Sequence, residues 1–161
     1  MKELVEKLSA DDLFKDWQKE NPESFLSHFF VPLDSKFNFN SSWEIGYFAN
    51  EQITVFVAND NGFEIKPADQ IFKKPNAEVE PLKLDEVKLS FEQALEIFKE
   101  KFPETFPAAV LGDGFLILQT YQGKTVWNFT FITKQLKFAN LKINANTGEV
   151  EDSQEVDLVH K

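Results

Sequence analysis

The amino-acid sequence predicts an α+β protein made of two repeated units, each a helix packed on an antiparallel β-sheet. Three observations predict this class. The two halves of the chain match each other, apolar residues at helical spacing precede apolar residues that alternate, and turn residues separate the alternating runs. We expect a first unit at residues 1–72, a proline-containing charged linker at residues 73–86, and a second unit at residues 87–161.

The match between the halves is clearest where each helix is expected. A shift of 81 residues places residues 7–25 on residues 88–106, and six of these 19 positions are identical. Farther along the chain, Trp43 matches Trp127 at an offset of 84, and Gly62 matches Gly148 at an offset of 86. Insertions in loops produce such growing offsets, so we interpret the halves as diverged copies of one unit.

Helix signals open each copy. Ser9 and Ser90 are N-cap candidates, because a serine hydroxyl can accept a hydrogen bond from an unpaired backbone N–H of the first turn. Gln93 stands three residues after Ser90 and completes a capping box. Pro22 and Pro103 are expected to end the two helices, because proline has no N–H with which to continue the helical ladder.

Alternating apolar residues then predict strands in both copies. They are Trp43, Ile45, Tyr47, Ile53, Val55 and Val57 in the first copy, and Trp127, Phe129, Phe131, Leu141 and Ile143 in the second. Asn61-Gly62 and Thr147-Gly148 are hairpin-turn signals. A strand is also expected from Gly114 to Tyr121, after a flexible turn at Gly112-Asp113-Gly114, with Phe29 to Phe39 as its counterpart in the first copy.

Composition restricts the classes of function. All 17 basic residues are lysine against 27 acidic residues, which gives a net charge of −10 and disfavours nucleic-acid binding. The chain has no cysteine, which excludes disulfides, thiolate zinc sites and cysteine nucleophiles. The N-terminus has no apolar signal-peptide core, and no apolar run is long enough to span a bilayer. We therefore expect a cytoplasmic protein without membrane insertion.

Two stretches of the second copy resemble the PepSY family. They are the helix Ser90-Phe91-Glu92-Gln93-Ala94-Leu95 and the closing hairpin from Leu141 to Val150, which ends in Asn-Thr-Gly-Glu-Val. The resemblance covers about residues 88–152, and the first copy is a diverged version whose residues 59–65 keep the turn glycine but lose the alanine and the threonine. It implies a PepSY/cystatin-like fold, a location outside the cytoplasm, and a non-catalytic role beside peptidases that such domains restrain.

Residues suited to catalysis or metal binding are scarce. The two histidines are His28, expected just beyond a helix, and His160, next to the C-terminus. Asn59 to Gly62 fits a hairpin turn better than a calcium loop, because the first ligand position is Val57 and the bidentate glutamate is missing. The sequence therefore predicts no catalytic residue, no metal site and no cofactor. Phe37 and Phe39, in a stretch rich in Asn, Ser and Lys, are candidate partner-contact residues.

The leading hypothesis is a non-catalytic protein-binding module that restrains or recognises another protein, such as a peptidase. It rests on the repeat and on the lack of catalytic groups. A small-molecule carrier with an apolar pocket lined by aromatic residues is the alternative, because Phe alone accounts for 18 residues. A carboxylate-based enzyme is the third hypothesis. The identity of the protein partner is unknown, and a homodimer is left open.

Overall fold

A computed structural model describes residues 1–39, 41–66 and 79–158. The helices are α1 (Lys2–Ser9), α2 (Asp12–Glu20) and α3 (Phe91–Thr105), with a 3₁₀ turn at Leu84–Glu86. The strands are β1 (Phe25–Leu33), β2 (Glu44–Ala49), β3 (Gln52–Asn59), β4 (Gly62–Ile65), β5 (Leu111–Tyr121), β6 (Lys124–Thr133), β7 (Lys137–Asn144) and β8 (Val150–Asp157).

All eight strands belong to one antiparallel sheet in the order β4-β3-β2-β1-β5-β6-β7-β8. Each half of the chain supplies four consecutive strands, and β1 joins β5 through the pairs from His28 with Gln119 to Leu33 with Gly114. The predicted α+β class with antiparallel strands is therefore confirmed. The two halves share one continuous sheet, while their origin by duplication stays a prediction.

The main core lies between the helices and one face of the sheet. Alternate positions of the strands point there, so Phe98 of α3 stacks on Phe129 with ring centroids 4.5 Å apart. Phe14 of α2 contacts Tyr47 at 4.9 Å and Phe56 at 5.2 Å. Because these aromatic rings are large and nearly all buried, they supply most of the apolar area that holds the helices to the sheet.

The start of α3 was predicted correctly and the start of α2 was not. Ser90 Oγ accepts from Gln93 N and Gln93 Oε1 accepts from Ser90 N, which completes the predicted capping box. Ser9 instead ends α1, a helix that the repeat did not predict, and Asp11 caps α2 by accepting from Leu13 N at 3.0 Å. Asp11, and not Ser9, is the N-cap of α2 because the chain is still helical at Ser9.

Pro103 does not end its helix, contrary to the prediction. It lies inside the last turn of α3, which continues to Thr105, and Phe106 N donates to Phe102 O at 2.8 Å. A proline this close to the end of a helix removes one backbone hydrogen bond, but no further helical turns follow that it could disrupt. Burial of Phe102 and Phe106 in the core holds this last turn in place.

Two predicted boundaries in the strands also change. Gly112 and Gly114 lie inside β5 at a bulge instead of forming a flexible turn, because the backbone carbonyls of β6 approach there too closely for a side chain. β1 ends at Leu33, not Phe39, because Asp34 Oδ1 accepts from the backbone N of Lys36 and Asn38 and turns the chain.

The predicted hairpin turns at Asn61-Gly62 and Thr147-Gly148 are confirmed, since they connect β3 to β4 and β7 to β8. Of the predicted linker, residues 73–78 lie outside the described residues. Residues 79–86 run along the sheet, where Leu82 is buried and its N–H donates to Leu26 O at 2.9 Å. The division of the chain into 1–72, 73–86 and 87–161 stays a prediction.

Candidate functional site

The sheet face opposite the helices, here called the open face, is the candidate binding surface. In the described ranges, no helix packs on it, yet it carries many large apolar side chains. The strand registers place there Phe25, Phe30, Pro32, Phe48, Ile53, Val55, Val57, Phe115, Ile117, Ile132, Phe138 and Val156. The solvent-facing side of an antiparallel sheet is usually polar. An apolar one therefore indicates a contact surface.

Aromatic pairs bridge neighbouring strands on the open face. Phe25 of β1 lies against Phe48 of β2 with ring centroids 5.3 Å apart. Phe30 of β1 lies against Phe115 of β5 at 5.6 Å, across the junction of the two halves. All four rings are only partly buried. Such pairs stabilise the sheet and leave a fairly rigid apolar surface for a partner.

A shallow depression of about 140 Å³ lies at one end of the open face. It is lined by Asp113, Gly114, Phe115, Thr130, Ile132 and Phe138. A cavity of about 150 Å³ is large enough for benzene, so this depression fits one apolar side chain of a partner. Side chains that fill such pockets often dominate the energy of a protein–protein interface.

A line of hydrogen-bonded polar side chains crosses the open face from β5 to β8. Asn128 Nδ2 donates to Gln119 Oε1 at 3.0 Å, and Asn140 Nδ2 donates to Asn128 Oδ1. Lys142 Nζ donates to Asn140 Oδ1 at 2.8 Å and to Asp152 Oδ2 at 3.1 Å. Because these groups already satisfy one another, the line is rigid and offers little reactive chemistry.

Lys142 is the most buried charged residue described, with 9% of its surface exposed. Its ammonium lies 4.8 Å from the centre of the Tyr121 ring, and Asp152 neutralises its charge. The hydrogen bonds to Asn140 and Asp152 hold this ammonium in place. The open face therefore presents one fixed ion pair beside its apolar part.

His28 lies on the open face, packed over Gly46 of the neighbouring strand. Its Nδ1 lies 3.1 Å from Ser27 Oγ. Burial lowers the pKa of His28 to about 4, because the charged imidazolium would lose its hydration. His28 is therefore neutral near pH 7 and is unsuited to exchange protons there.

The two predicted contact residues lie on the helix side of the sheet. Phe37 contacts Phe98 at 5.8 Å and is partly buried against the core. Phe39 is 45% exposed and lies against Trp43 at 5.5 Å and Phe91 at 5.0 Å. The structure therefore separates both from the open face, and their role in partner contact stays a prediction.

Sequence reasoning missed the open face, although a signal was present. β1 reads Phe25-Leu26-Ser27-His28-Phe29-Phe30-Val31-Pro32-Leu33, and β5 contains Phe115-Leu116-Ile117-Leu118. These runs are apolar at consecutive positions, not at every second one. A strand with apolar residues on both faces needs a contact on both faces.

Reactive groups do not gather in the described residues. They contain no group of three or more His, Asp or Glu side chains that could hold a metal ion. The buried polar residues among them are Ser27, Thr125, Thr133 and Lys142, so no carboxylate there is fully buried. No helix in the described ranges has both the length and the apolar character that a membrane crossing requires.

Residues 88–154 match the family described as Peptidase propeptide and YPEB domain (PepSY). This part of the chain, which comprises α3 and most of the second four strands, is a PepSY domain, as the sequence predicted. PepSY domains are typically non-catalytic and protein-binding or propeptide-like. The diverged second copy in the first half stays a prediction.

A solved structure shares the fold over both halves. It is described as a "putative lipoprotein" from Clostridium difficile 630, with 12% sequence identity and a TM-score of 0.50. The match covers 89% of this chain and 90% of that one, so the likeness extends well beyond residues 88–154. None of the curated proteins matches the sequence.

Proposed function

We propose that the protein is a non-catalytic binding module whose open face recognises a folded peptidase and restrains it. The observation that carries the proposal is the open face itself, an apolar sheet surface without a helical layer in the described residues. The PepSY domain at residues 88–154 supports a peptidase as the partner, since the family is described by peptidase propeptides.

The features of the open face suit a protein partner better than a small ligand. Its aromatic pairs are spread over several strands, and its depression of about 140 Å³ is smaller than the roughly 300–1,000 Å³ of typical ligand pockets. On the helix side, Phe98 and Phe129 stack at 4.5 Å. Among the described residues, the open face therefore supports the binding module more than the carrier, and no buried carboxylate there supports the enzyme hypothesis.

Binding to a purified mature peptidase whose own propeptide carries a PepSY domain tests the proposal. We expect a complex in isothermal titration and a dose-dependent loss of peptidase activity. Ile132→Lys should weaken binding at least about tenfold, because Ile132 lines the depression and is 41% exposed. The matched control is Leu13→Lys, at a position 38% exposed on α2, which should bind as the parent does.

Two results would overturn the proposed function. One is the absence of a complex with every such peptidase at protein concentrations of roughly 100 μM. This concentration is far above the dissociation constants of specific complexes of this kind. The other is an equal loss of binding in Ile132→Lys and Leu13→Lys. Light scattering of the free protein would also show whether the open face binds a second copy instead of a peptidase.

The location of the protein in the cell determines which peptidases it can meet. The cytoplasmic location predicted from the N-terminus stays a prediction. The solved structure with the same fold is described as a lipoprotein, which makes a location outside the cytoplasm the rival proposal. Fractionation of source cells with an antibody against the protein would decide between them.

A further inference from the structure

The outer edge of β8 is a second surface with unpaired backbone groups. β8 ends the sheet, pairs with β7 on one side, and has no strand on its other side within the part of the chain that the structure describes. It is eight residues long, against four for β4 at the opposite end, and Ser153 to Asp157 are all exposed. A free edge of this length can accept an extended chain as an additional strand.

The register shows which backbone groups of β8 point outward. Leu158 N donates to Leu136 O at 3.0 Å, so the two form a hydrogen-bonded pair of the antiparallel ladder. Hydrogen-bonded and non-bonded pairs alternate in such ladders. The backbone N–H and C=O groups of Ser153, Glu155 and Asp157 therefore point away from β7, and three residues of an incoming strand can pair with them.

The charge at this edge is negative. Residues 149–157 contain five acidic residues and no lysine. Lys137 of β7 is shared between Glu155 at 3.2 Å and Asp157 at 3.8 Å, which leaves one negative charge in excess. The side chain of Glu155 is 35% exposed and that of Asp157 is 70% exposed. A cationic residue placed opposite them would be attracted to both.

We infer that the edge of β8 binds an extended basic segment of a protein partner as a ninth antiparallel strand. Two residues of that segment pair with Asp157 and Glu155, and both are Lys or Arg. One residue separates them in the segment. The residue between them lies on the open face beside Val156, which is 47% exposed, and is apolar. The recognised pattern is thus basic–apolar–basic.

A second copy of this chain is less suited to the same edge, because it would bring two acidic strands together. Pairing of β8 with β8 in antiparallel orientation around Glu155 would place the two Glu155 carboxylates opposite each other. Like charges directly across a sheet are destabilising. The excess of acid therefore selects a basic segment over self-association.

The test uses the full chain and the capped peptide Lys-Val-Lys-Thr-Thr, whose residues lie opposite Asp157 to Ser153 in that order. We expect binding with a dissociation constant of roughly 1 mM or tighter, weakened by salt. In hydrogen exchange, the amides of Ser153, Glu155 and Asp157 should gain protection together. The same peptide with Glu in place of Lys should not bind.

A matched pair of variants separates backbone pairing from charge. Glu155→Pro removes an N–H that points outward, so the ladder with β7 remains while the incoming strand loses a bond, and we expect at least about tenfold weaker binding. Glu155→Gln keeps the backbone, so we expect roughly threefold weaker binding and a smaller effect of salt. Ser153→Pro serves as the backbone variant if Glu155→Pro does not fold.

The inference fails if the peptide does not bind at several times the expected dissociation constant, roughly 5 mM, or if a folded proline variant binds it as the parent does. Protection of amides on other strands would equally overturn it. The inference shares with the proposed function only that the partner is a protein. Peptidase binding is tested separately by Ile132→Lys, so either idea can fail while the other stands.

Discussion

Gly46 decides where His28 can lie. A Cβ atom at Gly46 would overlap the imidazole ring, so only glycine lets His28 lie flat over β2. The ring thereby loses much of its hydration without gaining a charged partner, and the pKa of His28 falls to about 4 from the ordinary 6.5. His28 therefore makes the stability of the protein depend on pH.

We predict that His28 lowers the stability of the protein as the pH falls from about 6.5 to about 4. In this window the unfolded chain takes up a proton at His28 and the folded chain does not, so protons favour unfolding. The lowered pKa of His28 corresponds to a loss of at most about 3 kcal/mol in the free energy of unfolding. The expected loss is about 2 kcal/mol, because the ring is partly exposed. Urea unfolding at pH 7 and pH 4.5 measures it.

The comparison variant is His28→Gln, which should lose less stability than the parent between these two pH values. The carboxylates contribute equally to both proteins, so the difference isolates His28. An unchanged pH dependence in His28→Gln would show that burial does not lower the pKa of His28.

At the scale of elements, the start of α2 gives a prediction that separates the structure from the sequence pattern. Asp11→Ala should lower the free energy of unfolding by about 1 kcal/mol, because Leu13 N loses its acceptor. Ser9→Ala should change it by less than about 0.5 kcal/mol, because Ser9 is an exposed residue at the end of α1. Urea unfolding at pH 7 measures both.

Two further variants calibrate this prediction. Ser90→Ala, at the capping box of α3, should also cost about 1 kcal/mol. Asp11→Asn keeps a side-chain acceptor and should lose only a small part of the stability. If Ser9→Ala proved as costly as Ser90→Ala, the cap of α2 would belong to Ser9 and not to Asp11.

The same elements show what the sequence could and could not predict. The box of Ser90 and Gln93 is a local signal that two side chains complete by themselves, and it was predicted correctly. The effect of Pro103 on the helix was not predicted, because it depends on Phe102 and Phe106, whose burial keeps the last turn of α3 helical. Tertiary packing overrides a weak local preference in such places, and no local pattern records that packing.

For the whole molecule, the class of fold was predictable and the order of strands was not. Alternating residues showed that strands follow a helix, but not that β1 would pair with β5 across the junction of the halves. The open face was missed for the same reason. The apolar runs of the two central strands were apparent in the sequence, but where each face of the sheet lies depends on pairing between distant residues.

That junction leads to a prediction about cooperativity. The pairs from His28 with Gln119 to Leu33 with Gly114 join the two halves, and Phe37 of the first half contacts Phe98 of the second at 5.8 Å. Since the halves share both a ladder and a core, we expect the chain to unfold as one unit, despite the predicted boundary at residues 73–86.

Single-tryptophan variants measure this directly. Replacing Trp17 and Trp43 by Phe leaves Trp127 in β6, and replacing Trp43 and Trp127 leaves Trp17 in α2. Each fluorescence transition in urea should coincide, within about 0.2 M, with the loss of circular dichroism of the same variant, because both signals report one two-state event.

The decisive variant is Phe37→Ala, which removes a ring of the first half that packs against α3. It should cost about 2 kcal/mol and shift both tryptophan reporters to lower urea by the same amount. Independent halves would instead give two midpoints, or a shift of the Trp17 transition alone. Either result would mean that the ladder between β1 and β5 is too weak to couple the PepSY domain to the rest of the chain.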